Sequence, residues 1–116
     1  MSYKFLEHST DAIIEINAND LKEAFSTAAD AVINLTIDQD NVEETSSKEF
    51  VSQGKDLYYL LFSWLEEIPF ILITEGFAIK RLEFNIEKNE TYKIQAKAFG
   101  ENLDLKKHNF KVEIKA

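Results

Sequence analysis

Residues 57–68 carry the strongest periodic signal in the chain. Leu57, Leu60, Leu61, Trp64, Leu65 and Ile68 recur three and four apart, which puts them along one side of a helix. A stripe that wide must be covered, so the fold has to supply a second layer of comparable size. Asp56 follows Gly54 and Lys55 and is placed to cap the helix. Tyr58, Tyr59 and Phe62 add aromatic surface on the flanks, and the width of the apolar face means either deep burial, the favoured reading, or a patch that faces a partner. Pro69 removes an intrahelical hydrogen bond and disfavours helical geometry at Ile68. The spacing therefore predicts a kink there, or a helix end followed by a short second piece through Ile73. Thr74, Glu75 and Gly76 then break out, with Gly76 closing the helical run.

The covering layer is legible in segments that alternate. Residues 1–6 and 12–17 read as two short strands, the second with Ala12, Ile14 and Ile16 on one face. Residues 42–52 read as a mostly polar edge strand anchored by Phe50. Residues 77–87 alternate with a change of phase. Phe77 and Ile79 occupy odd positions, whereas Leu82, Phe84 and Ile86 occupy even ones. A one-residue slip exchanges the faces of a strand, so a bulge near Lys80 and Arg81 would reconcile the halves. Residues 91–99 form the return strand, with Tyr92, Ile94, Ala96 and Ala98 inward. After a loop over residues 100–108, Phe110, Val112, Ile114 and Ala116 alternate as a last strand.

A second helix begins at Asp20, with Glu23 at capping-box spacing. Leu21, Ala24, Phe25, Ala28, Val32 and Leu35 give it an apolar face, and small Ala24, Ala28 and Ala31 allow close approach to a support. It should end near Leu35. Asp38, Asp40, Glu43 and Glu44 then form an acidic run. It lacks the glycine and the terminal glutamate of a calcium loop, which makes it a solvated loop. The expected fold class is α+β, a two-layer sandwich with two helices packed on one face of a mostly antiparallel β-sheet. With 116 residues, one domain over residues 1–116 is expected.

Composition narrows the function. The chain has no cysteine, which excludes thiolate nucleophiles and zinc–thiolate sites. Thirteen Lys and Arg against 21 Asp and Glu give a formal net charge of −8, which opposes extensive direct nucleic-acid binding and suits a cation or a basic partner. No apolar run approaches the roughly 20 residues of a membrane span, and the N-terminus lacks the layout of a signal peptide. A cytoplasmic protein with no membrane partner is the expectation.

Residues 7–11 read Glu7, His8, Ser9, Thr10 and Asp11, two carboxylates, an imidazole and two hydroxyls at a strand-to-strand connection. Such groups either cap a turn by bonding nearby N–H groups or offer oxygen ligands to a hard cation. An enzyme would pair His8 with Glu7 or Asp11 for acid–base work. Against it, the chain has no G-x-S-x-G signature, and with three glycines it has no phosphate-cradling loop. Near the other end, Lys106, Lys107, His108, Lys111 and Lys115 form a small basic cluster, read either as solvated surface or as contact with a partner. A surface cluster of that kind should tolerate reversal of Lys107 and Lys111 to Glu without loss of stability.

Five separated pieces together resemble the archease family. Residues 7–11 resemble its E-H-T-A-D entry motif, and Leu21, Lys22, Glu23, Ala24 and Phe25 resemble its helix opening. Asp56 and Leu57, with Phe62, Ser63, Trp64, Leu65 and Glu66, look like its D-L-x-x-L-L-x-x-W-L segment. Thr74, Glu75 and Gly76 match its T-E-G exit. His108, Lys111, Glu113, Lys115 and Ala116 match its H-x-x-K-x-E-x-K-A run. The resemblance implies a non-catalytic activator of the RNA ligase that joins exons in tRNA splicing, one that promotes guanylylation of the ligase's active-site histidine and supports multiple turnover. It also implies that Asp11 helps bind a metal, calcium or another divalent cation. The second acidic ligand lies in the family's final strand, which follows the segment matched by Lys115 and Ala116, so a domain ending at Ala116 is expected to hold an incomplete site. His8, Lys107, His108, Lys111 and Lys115 are then candidates for contact with the ligase. A general interaction or chaperone-like module, or a small hydrolase using His8, are the alternatives.

Overall fold

The computed structural model describes the backbone of residues 2–6 and 13–17, and residues 20–111 with their side chains. Strands β1 (Ser2–Leu6) and β2 (Ile13–Asn17) form an antiparallel two-stranded sheet with Tyr3 opposite Ile16. Helix α1 (Leu21–Thr36) follows and lies against both. A single 3₁₀ turn, Gln39–Asn41, leads to β3 (Ser46–Gly54), α2 (Leu57–Pro69), a π-turn at Phe70–Thr74, β4 (Phe77–Lys88) and β5 (Tyr92–Asn102). The last three strands make an antiparallel sheet in the order β3-β5-β4. The fold class is the α+β arrangement of helices on an antiparallel sheet that the sequence implies, although the described strands fall into two sheets rather than one.

Both helices start where their caps predict. Asp20 Oδ1 accepts the N–H of Glu23 at 2.7 Å, and Asp56 Oδ1 accepts that of Tyr59 at 2.9 Å. Pro69 ends the α-helix, and the chain widens into the π-turn, where Glu75 N–H reaches back to the Phe70 carbonyl. Gly76 leaves with φ of 63°, a backbone region that favours glycine.

The bulge also falls where the phase change put it. Ile79 pairs with Gly100 and Arg81 with Phe99, so Lys80 is the surplus residue. Phe77 and Ile79 before it, and Phe84 after it, are thereby all buried. On the same face Ile94, Ala96 and Ala98 of β5 are buried, and Ser52 of β3 lies opposite Ile94. Strand β5 runs past the expected turn-off at Gly100 to Asn102, because the bulge shifts the pairing of β4 to carry it.

Trp64 is fully buried between the layers. Its ring stacks on Phe50 at 5.5 Å, meets Phe84 at 4.8 Å and Phe25 at 6.5 Å, and its Nε1–H donates to the Phe25 carbonyl at 2.9 Å. That bond needs the two helices close together, which the small residues Ala28 and Ala29 permit. Helix α1 is buried more widely than one stripe. Ala29 and Ile33 join the core, and Thr27 and Thr36 are buried with their hydroxyls donating to the carbonyls of Glu23 and Val32. Leu21, by contrast, is exposed at the first turn.

Two expectations about α2 fail. Tyr58, Tyr59 and Phe62 are not buried, with 70%, 45% and 55% of their surface exposed. The core needs only the side bearing Leu60, Trp64 and Ile68, and the flanking aromatics point away from it. The run Leu57–Thr74 is also one continuous helical element of 18 residues with mean hydropathy 1.4, long and apolar enough by composition to cross a membrane. In this fold Leu60, Trp64, Ile68, Ile71 and Leu72 on its inner side belong to the core.

Candidate partner-facing site

The segment after β5 folds back toward the end of α1 and builds a network of charges. Asp104 starts it by accepting the N–H groups of Lys106 and Lys107 at 3.0 and 3.1 Å, an aspartate turn that holds its carboxyl below the usual carboxylate range. The turn continues with His108 N–H donating to the Asp104 carbonyl, and it closes at Asn109, whose φ is 50°. Lys111 N–H then donates to the Thr36 carbonyl, and Asp38 N–H to the His108 carbonyl, both at 2.8 Å. The segment is thus stitched to the C-terminal end of α1.

His108 is fully buried inside this turn. Its Nδ1 accepts the N–H of Asp104 at 2.9 Å, which leaves the proton on Nε2 to be donated to Glu101 Oε2 at 2.9 Å. Glu101 also accepts the N–H of Glu43 at 2.9 Å and the ammonium of Lys107 at 3.0 Å. The Glu43 N–H, the His108 ring and Lys107, in that order, push the Glu101 carboxyl down to about 2. Lys107 is raised in turn by Glu101, with Glu43 3.6 Å away on its other side. Next to it, Lys111 pairs with Asp38 at 2.6 Å and donates to the Asn34 carbonyl, while Asn109 Nδ2 donates to Asp38 at 3.1 Å. Lys111, then Asn109, hold the Asp38 carboxyl below its ordinary value.

The structure therefore brings Lys107, His108 and Lys111 together, but not as a free basic patch. His108 has no surface to offer a partner; its ring is the internal post that Glu101 and Asp104 are tied to. Lys107 and Lys111 are part-exposed and neutralised by Glu101, Glu43 and Asp38, so reversing either to Glu would set carboxylate against carboxylate. Such reversals are therefore expected to lower stability, against the expectation from the sequence, and thermal melting of the two variants measures it. Lys106 is the exposed lysine of the turn without a carboxylate partner among the described residues. The sequence reading missed Glu101 and Asp38 as partners. The Asp104-to-Lys106 turn chemistry was a signal for the fold-back that sets Lys107 and His108 on Glu101, but it says nothing of Asp38, so far away along the chain. His8, Asp11 and Lys115 lie outside the described residues. Among the described residues no group of three or more His, Asp and Glu side chains is arranged to hold a metal.

The network should be acid-labile. Glu101 has a depressed folded pKa, so its contribution is fully present above the ordinary glutamate pKa of about 4.5 and is lost as pH falls through about 2. The lowered carboxyls of Asp38 and Asp104 act in the same direction. The melting temperature is expected to drop between about pH 4.5 and pH 2. Glu101→Gln should lower it at neutral pH and flatten that drop; an unchanged acid profile in the variant would show that Glu101 carries none of it.

The α+β fold and its charge-neutralised turn after β5 define a small domain of the archease class. The chain belongs to the archease family: the archease protein family model matches residues 3–116. It is 40% identical over 111 residues to the protein archease of Pyrobaculum islandicum, spanning 95% of this chain and 76% of that protein. It is 38% identical to the protein archease of Pyrococcus abyssi over 98% of this chain and 81% of that one. The solution structure of Methanobacterium thermoautotrophicum protein 1598 superposes with a TM-score of 0.78 at 27% identity, covering 98% of this chain and 81% of the other.

Proposed function

We propose that this chain is an activator of the RNA ligase of tRNA splicing, working in the cytoplasm, which promotes guanylylation of the ligase and its multiple turnover without catalysing a step itself. The family match along residues 3–116 carries this reading. The site supports it in chemical terms. Lys107 is held as an ammonium by Glu101, and Glu101 is held as a carboxylate by an N–H, an imidazole and that ammonium, so neither is poised to move a proton. A pre-paired, part-exposed set of charges instead offers a fixed pattern for a partner to read, and Lys106 adds one unneutralised cation.

The test is ligation by the RNA ligase with the chain at limiting concentration. Lys106→Glu is expected to slow multiple-turnover ligation several-fold and leave the melting temperature within about 0.5 kcal/mol of equivalent stability. An unchanged ligation rate would remove Lys106 from the contact. Absence of any stimulation by the unsubstituted chain, or turnover of a substrate by the chain alone, would overturn the function.

Asp11 is proposed as one ligand of a hard divalent cation, calcium in the first instance. The described residues supply no matching ligand set, and Glu101 and Asp38 are already satisfied by cations and N–H groups, so no action of the described residues depends on such a cation. Asp11→Asn keeps a hydrogen-bond acceptor and removes the charge. In a chain that also carries the family's final strand, it is expected to abolish the stabilisation gained on adding calcium, which for a bound ion at a hundred times Kd is about 2.7 kcal/mol, to abolish ligase activation, and to leave the calcium-free melting temperature nearly unchanged. If that variant gains as much calcium-dependent stability as the unsubstituted chain of the same length, Asp11 is a turn cap.

A further inference from the structure

The outer side of α2 and its π-turn carries a feature that the activator reading does not use. Tyr58, Phe62, Phe70 and Ile73 are 70%, 55%, 50% and 38% exposed. Four-residue steps put Tyr58, Phe62, Glu66 and Phe70 along one slanting ridge, about 18 Å from first to last, with Ile73 beyond it in the π-turn. Large exposed apolar side chains grouped on one element mark an interaction surface, whereas scattered ones do not.

The charges around the row say what covers it. Residues 57–79 contain no Lys or Arg, while Glu66 sits within the row and Glu67 and Glu75 beside it. Lys48 reaches Glu75 at 3.4 Å; neither Glu66 nor Glu67 has a cation partner among the described residues. Partial burial, then Glu75 and Glu66, raise the Glu67 carboxyl. A second copy of the chain would set the same carboxylates against each other. A lipid surface is disfavoured too. Helices that lie on membranes flank their apolar face with Lys and Arg to meet anionic headgroups, whereas residues 57–79 have none, only Lys55 reaching the first turn over the Tyr59 ring, within a chain of net charge −8.

We propose that the row formed by Tyr58, Phe62, Phe70 and Ile73 is a docking face for a basic amphipathic helix of a partner protein, whose apolar anchors pack between the aromatic rings while its lysines or arginines meet Glu66 and Glu67. The face is separate from the charged turn around Lys107, and the inference holds whichever protein the partner is.

The experiment titrates the full chain with a synthetic helical peptide that carries leucine and tryptophan on one side and lysine on the other, and with a matched peptide in which glutamate replaces lysine. The lysine peptide is expected to bind at least tenfold more tightly than the glutamate peptide, with amide shifts concentrated on Tyr58, Phe62, Glu66 and Phe70. The double variant Phe62→Ser and Phe70→Ser, at exposed positions that should leave the melting temperature in place, should weaken binding by tenfold or more. Glu66→Lys with Glu67→Lys should reverse the preference between the peptides. Failure of the lysine peptide to bind, equal binding of both peptides, or binding insensitive to the serine variant would each overturn the proposal. So would concentration-dependent dimerisation that the serine variant abolishes, which would make the occupant a second copy, or serine-sensitive partitioning onto phosphatidylglycerol vesicles, which would make it a lipid surface.

Discussion

Replacing Trp64 with alanine is expected to cost about 3–5 kcal/mol, the usual range for truncating a buried Trp or Phe. A small domain has only about 5–15 kcal/mol in total, so the variant should be largely unfolded near physiological temperature. Three losses coincide at this residue. The ring's contacts with Phe50, Phe84 and Phe25 disappear, a cavity opens between the layers, and the Phe25 carbonyl loses the donor at 2.9 Å that ties α1 to α2. Urea denaturation followed by circular dichroism measures it. Phe62→Ala is the contrasting variant, an aromatic truncation of the same helix on its exposed side, expected within about 0.5 kcal/mol. Equal losses at the two positions would mean that the core is not where the structure puts it.

Gly100→Ala should be as damaging for a different reason. A methyl group there would meet the Ala78 carbonyl oxygen at 1.8 Å and its carbon at 2.9 Å. Neither atom belongs to a side chain that could swing aside; both are backbone of the neighbouring strand, next to the bulge. Relief requires β4 and β5 to separate, so a loss of at least about 4 kcal/mol is expected, among the large effects that single substitutions produce. Faster hydrogen exchange at the amides of residues 77–79 and 99–102 would locate the opening. A loss under about 1 kcal/mol would mean that β4 and β5 are not in this register.

Some of this architecture was legible before any coordinates because a few residues leave only one geometric solution. Asp20 and Asp56 with their flanking spacing fix two helix starts, Pro69 fixes an end, and the odd-to-even switch between Ile79 and Leu82 demands one surplus residue. The inner side of α2, with Leu60, Trp64 and Ile68, is legible from its spacing, but the outward turn of Tyr58 and Phe62 is not decided by it: apolar residues flank the stripe, and the pattern does not say how wide a face the sheet covers. Ala29 and Ile33 escaped notice because an alanine-rich helix supports more than one plausible stripe. For the charged turn the sequence disclosed lysines but not their neutralisation. Glu101 reaches Lys107 because the turn after β5 folds back on the strand's last residues, and Asp38 reaches Lys111 because the segment then returns to the end of α1, a long-range closure that local pattern does not encode.

The surplus residue at Lys80 does more than reconcile two halves of a strand. Its backbone carbonyl accepts from Gln39 Nε2 at 2.9 Å, and its ammonium donates to the Gln39 carbonyl at 3.2 Å. The 3₁₀ turn thus grips the one point where the sheet's reading frame changes. Because Ile79 and Arg81 already face neighbouring residues of β5, deleting Lys80 would leave a regular strand with Phe77 and Ile79 still in phase with Leu82, Phe84 and Ile86, at the cost of the grip of the 3₁₀ turn. A residue added beyond the bulge would instead turn one half outward, expelling either Phe77 and Ile79 or Leu82, Phe84 and Ile86 into water. Strand β4 can therefore exchange side chains freely on its solvent face, yet the bulge is the place where it can change length by one residue and keep the layer beneath α2.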